Sequence, residues 1–391
     1  MMHTRTATLT TTLSTALLTT LACSLVLVSC SVPGADHTNL QVVDTGNQVA
    51  RWQLAHMENF DYIRTFRDHT EIDNGWVQAA FYIGLSRWAT TTSNPQFRRA
   101  LVEKAEHNQW RLGPLPWHAD DQAFAQVYVD LAVNDPGKLE PVKQVFDSIL
   151  QQRPTNSLEF NRDPAGQVEG DCQHRWCWSD ALFMAPPAWA GLSRVLADNR
   201  YLDYALEEYQ ATRLFLFDND EHLFYRDSRF RDRRDAHGHK VFWSRGNGWV
   251  FAGLPLLLEQ MPSQHPQRPA LEALFMEMAA RFASLQTNEG LWSSSLLDYQ
   301  HNPLPETSGS AFIVFGLAWG VNHGLLKQQQ YAPVVREGWH AIRERVSAEG
   351  RLGWVQQVGN APDQVLASDT QLYGSGALLL AASELVDWQR L

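Results

Sequence analysis

From about residue 46 onwards, apolar positions recur at helical spacing in segment after segment, and no run alternates as a half-buried strand would. The spacing predicts helices over 46–57, 74–90, 94–110, 118–133, 138–152, 178–198, 200–213, 248–260, 268–285, 308–326, 331–347 and 371–387. Two kinds alternate. Segments such as 99–110 and 271–284 gather Arg, Glu and Lys on one face, as an outer helix with a solvated side does. Segments such as 249–258, 311–320 and 376–383 are apolar nearly all round and rich in small residues, so they are buried on every side. After the first thirty residues no apolar run reaches the roughly 18 that a membrane span needs. Buried and amphipathic helices in alternation predict an all-α chain closed as six hairpins, an (α/α)6 barrel, with a helical bundle or an α-solenoid as the alternatives. If the inner helices run parallel, their N-termini share one end, and the loops entering them line a single bowl.

Those loops carry the unusual residues. At the inner starts stand His118-Ala-Asp120-Asp121-Gln122, Trp176-Cys-Trp178-Ser-Asp180, Trp243-Ser-Arg245-Gly-Asn-Gly-Trp249, Glu306-Thr-Ser-Gly309 and Ser368-Asp-Thr-Gln-Leu-Tyr373-Gly374. One such cluster is ordinary helix capping; five at one end read as a site. Asp180 sits among Trp, Phe and Met, where a carboxylate is rarely left ionised unless it is paired or has a raised pKa. It is the leading acid/base, with helix capping as the plain alternative. Asp121, on the neighbouring inner helix, is the second carboxylate that glycoside chemistry calls for, and His118 and Asp120 would orient it or simply complement the helix dipole. Arg245, flanked by Trp243 and two glycines, could grip a carboxylate in bidentate fashion while Trp243 or Trp249 stacks a sugar ring; a surface Arg in a Gly-containing turn is the alternative. The run of arginines from Arg226 to Arg234 is diluted by Asp227, Asp232 and Asp235, and reads as a solvated loop. Pro186-Pro187 should kink its helix.

Composition narrows the class. A net charge of −11 argues against nucleic acid as a partner, because phosphates need basic patches. The 15 Trp suit a cleft that stacks flat rings, although they serve equally as core filler. The start of the chain has an address of its own. Arg5 is followed by an uncharged Thr/Leu/Ala stretch ending Leu27-Val-Ser-Cys30, the pattern of an export signal and of a lipobox whose Cys is acylated. The expected organisation is a signal peptide over 1–29, a lipid-anchored tether over 30–45 and a catalytic domain over 46–391, in the bacterial periplasm or on the cell surface, with Ser31 pointing to the outer membrane. Membrane contact would be through the lipid alone. Cys172 and Cys177 could form a disulfide there or stay buried thiols. Zinc is not expected, since there is no second ligand pair at finger-like spacing, and neither is any other metal or cofactor.

In this order, Trp178-Ser-Asp180-Ala-Leu-Phe-Met-Ala-Pro-Pro, His222-Leu-Phe-Tyr-Arg-Asp227, Phe242-Trp-Ser-Arg-Gly-Asn-Gly-Trp249 and Tyr373-Gly-Ser-Gly376, with His118-Ala-Asp-Asp121, resemble the unsaturated uronyl hydrolases of glycoside hydrolase family 105, related to family 88. The motifs span residues 46 to 387, and the Trp-Ser-Arg-Gly-Asn-Gly-Trp element is the specific one. The resemblance implies an (α/α)6 barrel that takes a 4,5-unsaturated uronic acid off the non-reducing end of oligosaccharides made by polysaccharide lyases, pectin lyases among them. In that chemistry an acid protonates C4, water adds at C5, and the hemiketal collapses, with no metal or organic cofactor. By the same resemblance Asp180 is the acid/base and Asp121 the second acid, and Trp178, Trp243, Arg245 and Trp249 bind sugar. The chain departs from the pattern at Arg226-Asp227, where well-known members have a His soon after Leu-Phe-Tyr, so Arg226 is a further candidate for the substrate contact. An ordinary glycosidase or sugar epimerase on the same barrel, or a glycan-binding lipoprotein without turnover, are the competing functions.

Overall fold

The computed structural model describes residues 35–65, 72–152, 157–160, 172–386 and 388. Over these the chain repeats one unit, an outer helix followed by an inner one. The units are α1 (Ala35–Ala55) with α2 (Trp76–Thr92), α3 (Pro95–His107) with α4 and α5 (Ala119–Gln122, Phe124–Leu131), and α6 (Glu140–Gln151) with α7 and α8 (Ala181–Met184, Pro186–Leu196). Then come α9 (Asn199–Leu216) with α10 (Ser244–Gln260), α11 (Arg268–Leu285) with α12 (Thr307–Asn322), and α13 (Gln328–Arg343) with α14 (Leu372–Leu385). A short hairpin, β1 (Phe217–Asp218) and β2 (Leu223–Phe224), fills the connection before α10.

The inner helices pack in sequence, α2 on α5, α5 on α8, α8 on α10, α10 on α12, α12 on α14, and α14 back on α2. That closed ring is the expected (α/α)6 barrel. Small residues let it close: a Cβ on Gly84 would lie 2.1 Å from the Gly376 carbonyl oxygen, so α2 and α14 touch backbone to backbone.

Each helical stretch predicted from periodicity is present, but two inner ones are split. Pro186 and Pro187 cannot donate to the preceding turn, and the helix breaks into α7 and α8. The Phe183 and Met184 carbonyls near the break instead accept from Gln126 Nε2 at 2.8 and 3.1 Å, which ties α5 to α7. The tether expectation needs correction. Helix α1 begins at Ala35, and Val42, Val49 and Ala50, spaced as one helical stripe, are buried where it packs on α14. The polar and glycine content of 31–44 hid that stripe. Residues 1–34, on which the expected signal peptide and the acylated Cys30 fall, lie outside the described residues.

The inner helices run parallel. Their N-termini meet where the Trp76 ring stacks on Tyr373 at 5.5 Å, and their C-termini meet where Arg87 of α2 binds Glu259 of α10 and Glu384 of α14.

Candidate active site

Asp180 stands at the N-cap position of α7 with no capping hydrogen bond from its side chain. Capping, its plain alternative, is therefore not what the carboxylate does. It is only 8% exposed, accepts from the Ser179 hydroxyl at 3.1 Å, and has Arg226 Nε 3.6 Å from its Oδ2. Burial pushes this carboxyl above its ordinary range, against the charges of Arg226 and Arg245, its own backbone N–H and the Ser179 hydroxyl.

Local pairing brings Arg226 there. Ser179 N–H donates to the Arg226 carbonyl at 2.8 Å, and Trp178 bridges to Asp227. Asn247 of α10 clamps the adjoining strand, accepting from Phe224 N–H at 2.7 Å and donating to its carbonyl at 3.0 Å. Asp227, fully buried, accepts from Arg226 Nη1 at 2.8 Å and binds Arg229 through both of its oxygens. Burial alone would raise Asp227, but Arg229 and Arg226 more than offset it and hold it below the usual carboxylate range. Both guanidiniums lie over the Phe160 ring. Arg226 Nε has no hydrogen-bond partner and faces Asp180. The arginine run is thus not simply a solvated loop: Arg226 and Arg229 are anchored beside the acid.

Of the two adjacent carboxylates, it is Asp120 rather than Asp121 that feels the charge of Asp180. Burial first, then the charge of Asp180, push Asp120 up to about 7, while Arg226 and a hydrogen bond with Trp178 pull it back. Asp121 accepts from Leu115 N–H at 2.6 Å, and Gly113 lies so close that a Cβ there would fall 2.4 Å from the Asp121 carboxyl carbon. It pins the 113–115 loop and, by its charge, acts on His118. His118 caps α4: its Nδ1 accepts from Asp120 N–H at 3.3 Å, which assigns the proton of the neutral ring to Nε2. Burial, against the charge of Asp121 and with that of Arg226, pushes its pKa down to about 4, so it is a neutral imidazole.

Three aromatic assignments also change. Trp178, Trp243 and Trp249 are each at most 2% exposed and offer no open face to a sugar. Trp178 packs on His118 at 4.6 Å, and Trp249 sits among Phe183, Phe312 and Tyr373 as the floor of the bowl. Trp243 donates to Gln356 Oε1 at 2.9 Å and covers one face of Arg245, with Tyr373 on the other. Arg245 itself is 1% exposed and gives its Nη atoms to the carbonyls of Gln356 and Gln357 at 2.6 and 2.9 Å. It fixes the 356–357 loop and acts on Asp180 through its charge, and cannot also grip a ligand in bidentate fashion. Spacing could not separate these roles, because Trp243 and Arg245 are spent on a loop over a hundred residues away and Trp178 and Trp249 on rings of other helices.

Of the other two clusters, Glu306 caps α12, accepting from Ser308 and Gly309 N–H, and Asp369 binds Arg64 at 2.7 and 2.9 Å. Arg64 is 43% exposed on the loop entering α2 and was not legible as a site residue, since no motif surrounds it. The aromatic rings left partly open on these loops include Trp76 and Trp117. Cys172 and Cys177 are disulfide-bonded, which settles the alternative left open above and staples the turn that leads into Trp178.

The sequence model of Glycosyl Hydrolase Family 88 matches residues 45–389. A protein of Alteromonas sp. (strain LOR) named unsaturated 3S-rhamnoglycuronyl hydrolase is 44% identical, covering 88% of this chain and 86% of its own length. One of the same name from Formosa agariphila is 39% identical over 80% of this chain and 84% of its own length. Among solved structures, a glycosyl hydrolase family 88 protein from Bacteroides vulgatus superposes with a TM-score of 0.77 at 27% identity, covering 89% of this chain and 99% of that one.

Proposed function

This chain belongs to glycosyl hydrolase family 88, and from that premise we propose the residue roles, substrate and address of an enzyme that removes the 4,5-unsaturated uronic acid from the end of an oligosaccharide. The observation that carries the residue roles is the buried Asp180 carboxyl with the Arg226 guanidinium 3.6 Å away. The substrate's carboxylate hangs on C5, next to C4. A cation that holds this carboxylate beside the acid therefore brings the double bond to Asp180. Arg226 Nε, partnerless in the free protein, is that cation. Asp180 gives its proton to C4, and the resulting carboxylate takes one from the water that adds to C5. The products of hydration are a hemiketal and a reprotonated Asp180; collapse of the hemiketal releases the remaining sugar and a 4-deoxy-5-keto-uronate. Burial supplies a carboxylic acid at a pH where an exposed Asp would be ionised, and proton transfer to carbon needs that acid form.

The substrate is, on this proposal, an oligosaccharide with an unsaturated 3S-rhamnoglycuronyl end, after the name carried by the two relatives. The address proposed is the periplasmic or outer face of a bacterial membrane, with the lipid on Cys30, and the Cys172–Cys177 disulfide supports an oxidising compartment. Loss of fatty-acid labelling in Cys30→Ser tests the anchor, and persistence of the label would reject it. The activity is tested by following the ultraviolet absorbance of the conjugated unsaturated acid in lyase digests. The absorbance should disappear with enzyme and persist with Asp180→Asn. Undiminished absorbance in digests of rhamnose- and uronate-containing polymers would reject the substrate.

A further inference from the structure

Away from Asp180, three imidazoles and two carboxylates meet where the loop leading to α10 crosses the loop leading to α12. Asp298, 7% exposed, presents its Oδ1 to His237 Nδ1 at 2.8 Å, His301 Nδ1 at 3.4 Å and His239 Nδ1 at 3.6 Å. One oxygen with two lone pairs cannot serve three ring nitrogens as hydrogen-bond donors. The His237 and His301 rings are stacked at 4.0 Å. Asp235 builds the turn that presents the other side, with Oδ1 accepting from the N–H groups of His237 and His239 and Oδ2 lying 3.1 Å from His239 Nδ1. Ligand atoms of His237, Asp298 and His301 all lie within 4.8 Å of one another, as do those of Asp235, His239 and Asp298. Ligands at about 2.0–2.1 Å from a tetrahedral ion stand about 3.3 Å apart, close to the spacings seen.

We propose that His237, His301 and Asp298 bind one Zn2+ ion, with water completing its shell, which locks the loop feeding Trp243 and Arg245 to the loop feeding Glu306. Imidazole with a single carboxylate selects a first-row divalent ion such as zinc over calcium or magnesium. The expectation of no metal came from cysteine spacing and missed these ligands because Asp298 and His301 are remote in sequence from His237. The site stands apart from the residues assigned to catalysis, and its test does not use turnover. Full-length protein stripped with EDTA and reloaded should retain one Zn2+ per chain after gel filtration, and its Tm should rise on adding Zn2+ but not Ca2+. Co2+ in place of Zn2+ should give the visible absorption of a four-coordinate site. His301→Asn, a change at an exposed side chain, should fold as before and lose retention, Tm shift and Co2+ absorption. No retention by the wild-type chain, retention unchanged in His301→Asn, or an equal Tm shift with Ca2+ would each overturn the site.

Discussion

The two ends of the barrel both bury carboxylates and treat them in opposite ways. At the C-terminal end of the inner helices, Arg87 reaches Glu259 at 2.8 Å as well as Glu384, Trp319 donates to Glu259 at 2.7 Å, and Asn322 donates to Glu384 at 2.8 Å. Its acids are saturated with donors, and a cation suits that end because helix dipoles turn their negative pole there. At the N-terminal end the dipoles favour anions, yet Asp180 and Asp120 are driven toward their neutral forms by burial, and Asp120 also by the charge of Asp180. What separates them is partnership: Arg87 is used up by its acids, whereas Arg226 keeps a donor free toward Asp180. One end is built for stability, the other holds carboxyls in a state the fold would rather not keep.

The largest effect expected is on turnover. Asp180→Asn should lower kcat by about 10^4-fold, the upper range for a lost general acid, with the folded state intact in a thermal melt. Retained turnover would remove Asp180 from the chemistry. Arg87→Met, at the other end, should do the reverse: about 2–4 kcal/mol of stability lost in denaturant titration, short of the full buried-pair figure because Arg87 is a quarter exposed, and kcat per folded molecule unchanged. Next comes Arg226→Gln, expected to cut kcat/KM by about 10^2-fold, as for a lost charge-assisted hydrogen bond, mostly through KM. A purely structural Arg226 would instead show as lost stability with KM unmoved.

Asp120→Asn should stabilise. Its folded-state pKa of about 7 lies above the unfolded value, so the wild-type fold loses stability as pH rises through that range. The variant should gain about 1–2 kcal/mol above neutral pH and nothing at a pH below the ordinary Asp value of about 3.9. A gain at acid pH only would contradict the sign. The smallest change expected is in Asp121→Asn, about 1 kcal/mol of stability from the weakened bond to Leu115 N–H, with kcat within a few-fold of wild type. A loss of turnover larger than in Asp120→Asn would restore Asp121 to the role that the sequence suggested for it.

Much of this architecture was legible along the chain. The alternation of all-apolar and one-faced helices is a direct consequence of a ring with an inside, and it survives without any alignment of side chains. Asp180 was legible too, because an acid between Trp178 and Phe183 has few innocent reasons to be there. The roles of its neighbours were not. Asp120 and Asp121 are adjacent, and only the turn of α4 decides which faces Asp180 and which faces the 113–115 loop. Trp243, Arg245 and Trp249 form a conspicuous motif that turns out to be framework, since Arg245 binds carbonyls of the 356–357 loop. Arg226 was hidden among arginines whose differences lie in Asp227, a partner whose burial no local pattern reveals.

The account rests on Asp180 being a neutral acid in the resting enzyme. The direct test is carboxyl NMR of the protein labelled at its Asp side chains, titrated across pH, with the Asp180→Asn variant identifying the resonance. The predicted result is a resonance, absent from the variant, that titrates clearly above the usual Asp range while those of exposed aspartates titrate within it; an Asp180 resonance titrating at or below that range would contradict the account.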